Sequence, residues 1–135
     1  MRRPRFRTLA HAADLRVAVW GGNEAELIQN AILAAGAFAL GKLHILPVRA
    51  WIRVKPWPSD LPARLVRAVN EALFHLYSKG MIAVKFELVP RGARLGLAPL
   101  PPGRRPELEI KAATYHDLCP RWRSRRLAAM LTLDV

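Results

Sequence analysis

Apolar and polar residues alternate along this chain in two rhythms, one of two residues and one of 3.6, and the elements follow from where each rhythm holds. Arg5 to Ala10 reads as a short strand. The polar corner His11-Ala12-Ala13-Asp14 interrupts it, and Leu15, Val17 and Val19 resume a two-residue alternation that Gly21-Gly22 ends. Asn23 with Glu26 three residues on has the spacing of a capping box, so a helix is predicted from there to about Leu40, with Gly41 placed to stop it. Leu27, Ile28, Ala31, Ile32, Ala35 and Phe38 fall at helical spacing. The Ala-rich second half is apolar nearly all round, which predicts burial against a sheet.

Val48, Ala50, Ile52 and Val54 alternate with Arg49, Trp51, Arg53 and Lys55, a strand with one apolar and one basic face. Ser59-Asp60 then offers a cap for a second helix that tolerates Pro62 in its first turn, runs to Ser78 or Lys79 and stops at Gly80. Its inner stripe is Leu61, Leu65, Val69, Leu73 and Leu76 or Tyr77. Val84, Phe86 and Leu88 mark a strand, Pro90-Arg91-Gly92 a turn and Arg94 to Ala98 the returning strand. Pro99 to Pro106 is a proline-rich connector. Leu108, Ile110 and Ala112 alternate with Glu109, Lys111 and Ala113, so Lys111 is expected to face away from a half-buried strand, just upstream of Thr114, Tyr115, His116 and Asp117. Leu127, Ala129, Leu131, Leu133 and Val135 alternate with Ala128, Met130, Thr132 and Asp134 as a final strand. The order β-β-α-β-α-β-β-β-β over residues 1–135 predicts a single α+β domain, a mostly antiparallel or mixed sheet of about seven strands with two packed helices.

Composition narrows the class. The chain carries 22 Lys+Arg against 10 Asp+Glu, a formal charge of +12, and a field of that sign draws in polyanions such as RNA, DNA or an acidic protein surface. The one cysteine, Cys119, excludes an internal disulfide and fits a reducing compartment. The longest apolar run, Ala31 to Leu40, is about half the ~20 residues that span a bilayer, so a cytoplasmic protein with no membrane partner is expected. Its basic start has no cleavable apolar core and reads as part of the fold. Between Arg121 and Arg126 four arginines surround Trp122 and Ser124, a mixture that suits either nucleotide stacking with phosphate pairing or a solvated hairpin loop.

One cluster of oxygens stands out. Asp134 and Val135 supply a side-chain carboxylate, a main-chain carboxylate and a backbone carbonyl within one residue of each other, the oxygen ligands that hard divalent cations such as Ca²⁺ or Mg²⁺ take. Asp14 is the natural third contributor if the first and last strands are neighbours; an arginine facing Asp134 would account for that residue equally well.

The corner His11-Ala12-Ala13-Asp14, Trp20-Gly21 with Glu26-Leu27, Asn70-Glu71-Ala72-Leu73, Lys111-Ala112-Ala113-Thr114-Tyr115-His116 and the closing Leu133-Asp134-Val135 together resemble the archease family in order and spacing. The resemblance implies an α+β fold and a non-enzymatic accessory protein. Such a protein assists the GTP-dependent RNA-splicing ligase of tRNA splicing, promoting guanylylation of the ligase histidine and restoring multiple turnovers. It also implies a divalent cation, Ca²⁺ or Mg²⁺/Mn²⁺, at Asp14, Asp134 and Val135, and a ligase-activating role for Lys111; His11 and His116 match family motifs as further candidates. Ala12 stands where a threonine is usual, Arg67 where an aromatic is usual, and Pro62 interrupts an otherwise acidic helix start. Typical members are acidic, whereas this chain is +12. Two rivals are a stand-alone basic RNA-binding module and a metal-dependent hydrolase built on His11, Asp14, His116 and Asp117. For the second, the sequence has no His-x-x-x-His pair, no Gly-rich phosphate loop and no nucleophile elbow.

Overall fold

Helix boundaries are set by local chemistry. In the computed structural model, which describes residues 5–9 and 14–135, the Asn23 side chain accepts from the Glu26 amide at 2.8 Å, and the Asp60 side chain accepts from the Ala63 amide at 2.8 Å. Each satisfies a backbone donor that the helix itself cannot. Gly41 and Gly80 end the helices in the left-handed conformation, at φ 79° and 63°. A Cβ at Gly41 would meet only the Glu107 carboxylate, the end of an exposed side chain that can turn aside, so the left-handed backbone is what calls for glycine.

The elements in chain order are β1 (Phe6–Leu9), β2 (Asp14–Gly21), α1 (Glu24–Leu40), β3 (Ala50–Val54), α2 (Leu61–Lys79), β4 (Met81–Val89), β5 (Gly92–Pro99), β6 (Ala112–Thr114), β7 (Arg121–Arg123) and β8 (Arg126–Asp134). The α+β expectation holds, and every strand pairing is antiparallel. The strands divide into two sheets. One has the order β1-β2-β8-β6 with β7 also on β8, and the other has the order β3-β5-β4. Helix α1 packs against β2 and β8 of the first sheet, against β4 of the second and against α2, which explains why it is apolar nearly all round. The shared core holds Val17, Val19, Leu131 and Leu133 from the first sheet, Ile28 and Ile32 from α1, Leu65 from α2 and Leu95 from the second sheet, all at most 1% exposed. Burying each such side chain contributes roughly 1.5–3 kcal/mol. Among the described residues no helix is long and apolar enough to cross a membrane.

Two expectations need correction. The strand before His116 does not start at Leu108. Ile110 and Ala113 are the buried residues, three apart rather than two, so the alternation breaks between them and β6 begins only at Ala112. The arginine-rich stretch adds a strand, β7, joined to β8 by a tight hairpin turn with Ser124 at φ 57°.

Candidate functional site

The two ends of the described fold lie side by side. β2 and β8 are antiparallel neighbours in a register that sets Asp14 directly opposite Asp134, and β6 on the other side of β8 sets Ala112 opposite the same Asp134. Directly opposed side chains on one sheet face have Cβ atoms about 4.5–5.5 Å apart. The Lys111 amide donates to the Asp134 main-chain carbonyl at 2.7 Å, which fixes the lysine backbone beside Asp134 while its own side chain is exposed.

What holds Lys111 there is helix α2. The Asn70 side chain accepts from the Ala113 amide at 2.6 Å and donates to the Ala113 carbonyl at 3.3 Å, so one amide group takes the place of the next strand along this edge of β6. The Tyr77 hydroxyl donates to the Leu108 carbonyl at 2.6 Å and accepts from the Ile110 amide at 2.8 Å. Burial pushes the Tyr77 phenol up from its ordinary value; the Ile110 amide opposes this and the Glu109 carboxylate adds to it. The hydroxyl therefore keeps its proton and stays able to donate. Farther along, the Glu107 and Leu108 amides both donate to the Ala39 carbonyl near the end of α1, at 2.6 and 3.2 Å. Beside Lys111 lies a groove of about 920 Å³ whose lining includes Phe74, Tyr77, Arg104, Arg105 and Glu109.

Of the residues predicted for the site, the structure brings together Asp14, Asp134 and Lys111, with Val135 next to Asp134. His11 lies outside the described residues. His116 is engaged elsewhere. Its Nε2 is 3.2 Å from Asp117, which also lies 3.5 Å from Arg16, and its carbonyl accepts from the Thr132 hydroxyl at 3.2 Å. The arginine partner that would have explained Asp134 is missing: among the described residues neither Asp14 nor Asp134 has an ion pair. Nor do three His, Cys, Asp or Glu side chains gather among those residues. An ion here would be held by the two carboxylates together with main-chain oxygens of Val135. That all-oxygen donor set, with two carboxylates directly opposed across the strands, fits a hard divalent ion. Asn70 and Tyr77 are the contributors that sequence patterning passed over. Asn70 lies inside a segment already singled out, but nothing in its spacing announced a backbone partner.

The model of the archease protein family (MTH1598/TM1083) matches residues 6–135. The chain belongs to the archease family. Its fold is similar to the solution structure of Methanobacterium thermoautotrophicum protein 1598, at 20% identity and a TM-score of 0.68 over 98% of this chain and 100% of that one. It is similar too to the crystal structure of a Thermotoga maritima archease described as a possible chaperone, at 20% identity and a TM-score of 0.66 over 100% of this chain and 98% of that one. No curated protein sequence matches significantly. Archease membership agrees with the motifs: Asn70 and Lys111-Ala112-Ala113 are in contact through the amide clamp, and Asp14 meets Leu133-Asp134 through the β2–β8 register.

Proposed function

We propose that this archease is a non-enzymatic accessory protein of the GTP-dependent RNA-splicing ligase, promoting transfer of the guanylyl group to the ligase histidine and repeated turnover. The observation that carries the reading is the juxtaposition of Asp14, Asp134 and Lys111 at one end of the five-stranded sheet, with the Lys111 backbone anchored through the Asp134 carbonyl at 2.7 Å. A divalent ion bound by Asp14, Asp134 and Val135 would neutralise the opposed carboxylates and leave a fixed positive centre on the surface. Lys111, exposed on a backbone gripped by Asn70 and Asp134, offers a second positive charge in a set position. Preset charge of this kind stabilises an anionic reacting group without reorganising as it reacts, and a nucleotide triphosphate in the partner's active site is such a group. The protein supplies charge and placement; the nucleophile and the triphosphate site belong to the ligase.

The test is covalent transfer of radiolabelled GMP from GTP to a cognate ligase in Mn²⁺, with and without the protein. Asp14→Ala, Asp134→Ala and Lys111→Ala should keep the fold, checked by circular dichroism, and lose at least tenfold in stimulation. Full stimulation by Asp14→Ala would remove the role given to that carboxylate.

A further inference from the structure

We propose that the β7–β8 hairpin, where β7 forms an edge of the five-stranded sheet, binds a single-stranded polynucleotide that crosses this edge, with the arginines on one side of the hairpin and Trp122 on the other. The register Arg121↔Ala128 and Arg123↔Arg126 puts the side chains of Arg121, Arg123 and Arg126 on one face, and Trp20↔Ala128 adds Trp20 from β2 to the same face. The Arg126 guanidinium lies over the Trp20 ring, 5.2 Å from its centroid. Trp122, between the two strand arginines, points to the other side of the hairpin yet is 61% exposed. Among the described residues none of the arginines from Arg121 to Arg126 has an acidic partner.

Chemistry selects the ligand. Unneutralised guanidinium groups on a chain of +12 call for a polyanion. An exposed indole on the edge strand beside them calls for a polyanion with flat faces to stack. A single-stranded polynucleotide offers both, phosphates to the arginines and bases to Trp122 and to the guanidinium plane of Arg126. A duplex hides its base faces, and an acidic peptide or sulfated polysaccharide has none, so for those ligands Trp122 would contribute nothing. Along β8 the same face passes from Arg126 through Ala128, Met130 and Thr132 to Asp134, roughly 26 Å. On the ligase reading, that span lets a partner occupy the carboxylate end while the strand is held at the arginine end. Binding itself is independent of that reading and is tested without any ligase.

The test is fluorescence anisotropy of labelled oligouridylate of about 12 nucleotides against the intact protein over a series of salt concentrations. Wild type should bind with log K falling by about 0.7 per phosphate neutralised for each unit of log salt. Arg121→Glu with Arg123→Glu should weaken binding at least tenfold and flatten that slope by about 1.4. Trp122→Ala should weaken it about five- to tenfold with the slope unchanged, and Trp122→Phe should restore most of it. Arg53→Glu with Lys85→Glu makes the same charge change on the other sheet and should cost less than threefold. Oligothymidylate that binds as well supports a site for either sugar. Three results would overturn the site: equal losses from the two charge-reversal pairs, unchanged affinity in Trp122→Ala, or duplex RNA, polyglutamate or heparin binding as tightly as oligouridylate.

Discussion

The outward faces of the two sheets differ in how their charges are settled. On the three-stranded sheet, Arg94 reaches Glu87 at 2.6 Å and stacks on Trp51 at 3.9 Å from the ring centroid, while Arg53 donates to the Pro90 carbonyl at 3.1 Å. Arg94 and Arg53 are settled within the fold, while Lys85 on the same face has no ion-pair partner among the described residues. On the five-stranded sheet, Asp14 and Asp134 oppose each other at one end, and at the other the arginines of the β7–β8 hairpin have no acidic partner among the described residues. Like charges directly opposed across a sheet are destabilising, so this arrangement is not explained by stability. Charges that find partners within the fold hold it together, and charges left over are available to something outside it.

The largest loss is expected at Asn70. Asn70→Ala leaves the buried Ala113 amide and carbonyl without partners and should cost about 2–4 kcal/mol, read from the urea midpoint. It should also loosen Lys111 and reduce ligase stimulation; a loss below about 1 kcal/mol would show that β6 does not depend on the clamp. Next in size is the effect of Ca²⁺. A hundredfold excess over its dissociation constant should stabilise wild type by about 2.7 kcal/mol and leave Asp14→Asn unmoved. In chelator the order should reverse, with Asp14→Asn the more stable by about 0.2–1 kcal/mol because the facing charges are relieved.

Arg94→Ala sharpens the contrast from the other sheet. It should cost about 1 kcal/mol or less, as exposed ion pairs do, and leave both ligase stimulation and oligouridylate binding unchanged. The smallest effect concerns pH. The folded protein holds the Tyr77 proton more tightly than the unfolded chain, whose tyrosine titrates near 10. The folded state therefore binds more protons above that pH, so this contribution is complete below about pH 10 and is lost as pH rises through the folded value. Tyr77→Phe should flatten the alkaline fall of a stability profile measured by urea unfolding.

Both helices were legible because their signals are local. Asn23, Asp60, Gly41 and Gly80 sit at the ends that their side chains or backbone conformations dictate. The β4–β5 hairpin was legible for the same reason, with Val89 opposite Gly92 across the turn. The segment from Glu107 to Lys111 was not, because its course is set by distant partners: the Ala39 carbonyl, the Tyr77 hydroxyl and the Asp134 carbonyl. Periodicity therefore gave Ala112 the buried place that belongs to Ala113. The division into two sheets was equally hidden, since a two-residue alternation looks the same in either. The carboxylate pair could be anticipated because a first and a last strand that are neighbours bring Asp14 to Asp134; the clamp that positions Lys111 could not, because it joins α2 to β6 by side chain to backbone.

If Asp14, Asp134 and Lys111 act together on a partner ligase, a double-mutant cycle on guanylyl transfer will show their coupling. Each single alanine variant at Asp134 and Lys111 should lose at least tenfold in stimulation, and the double variant should lose little more than either one. Retained stimulation in Asp134→Ala, or losses that simply multiply in the double variant, would contradict a shared site.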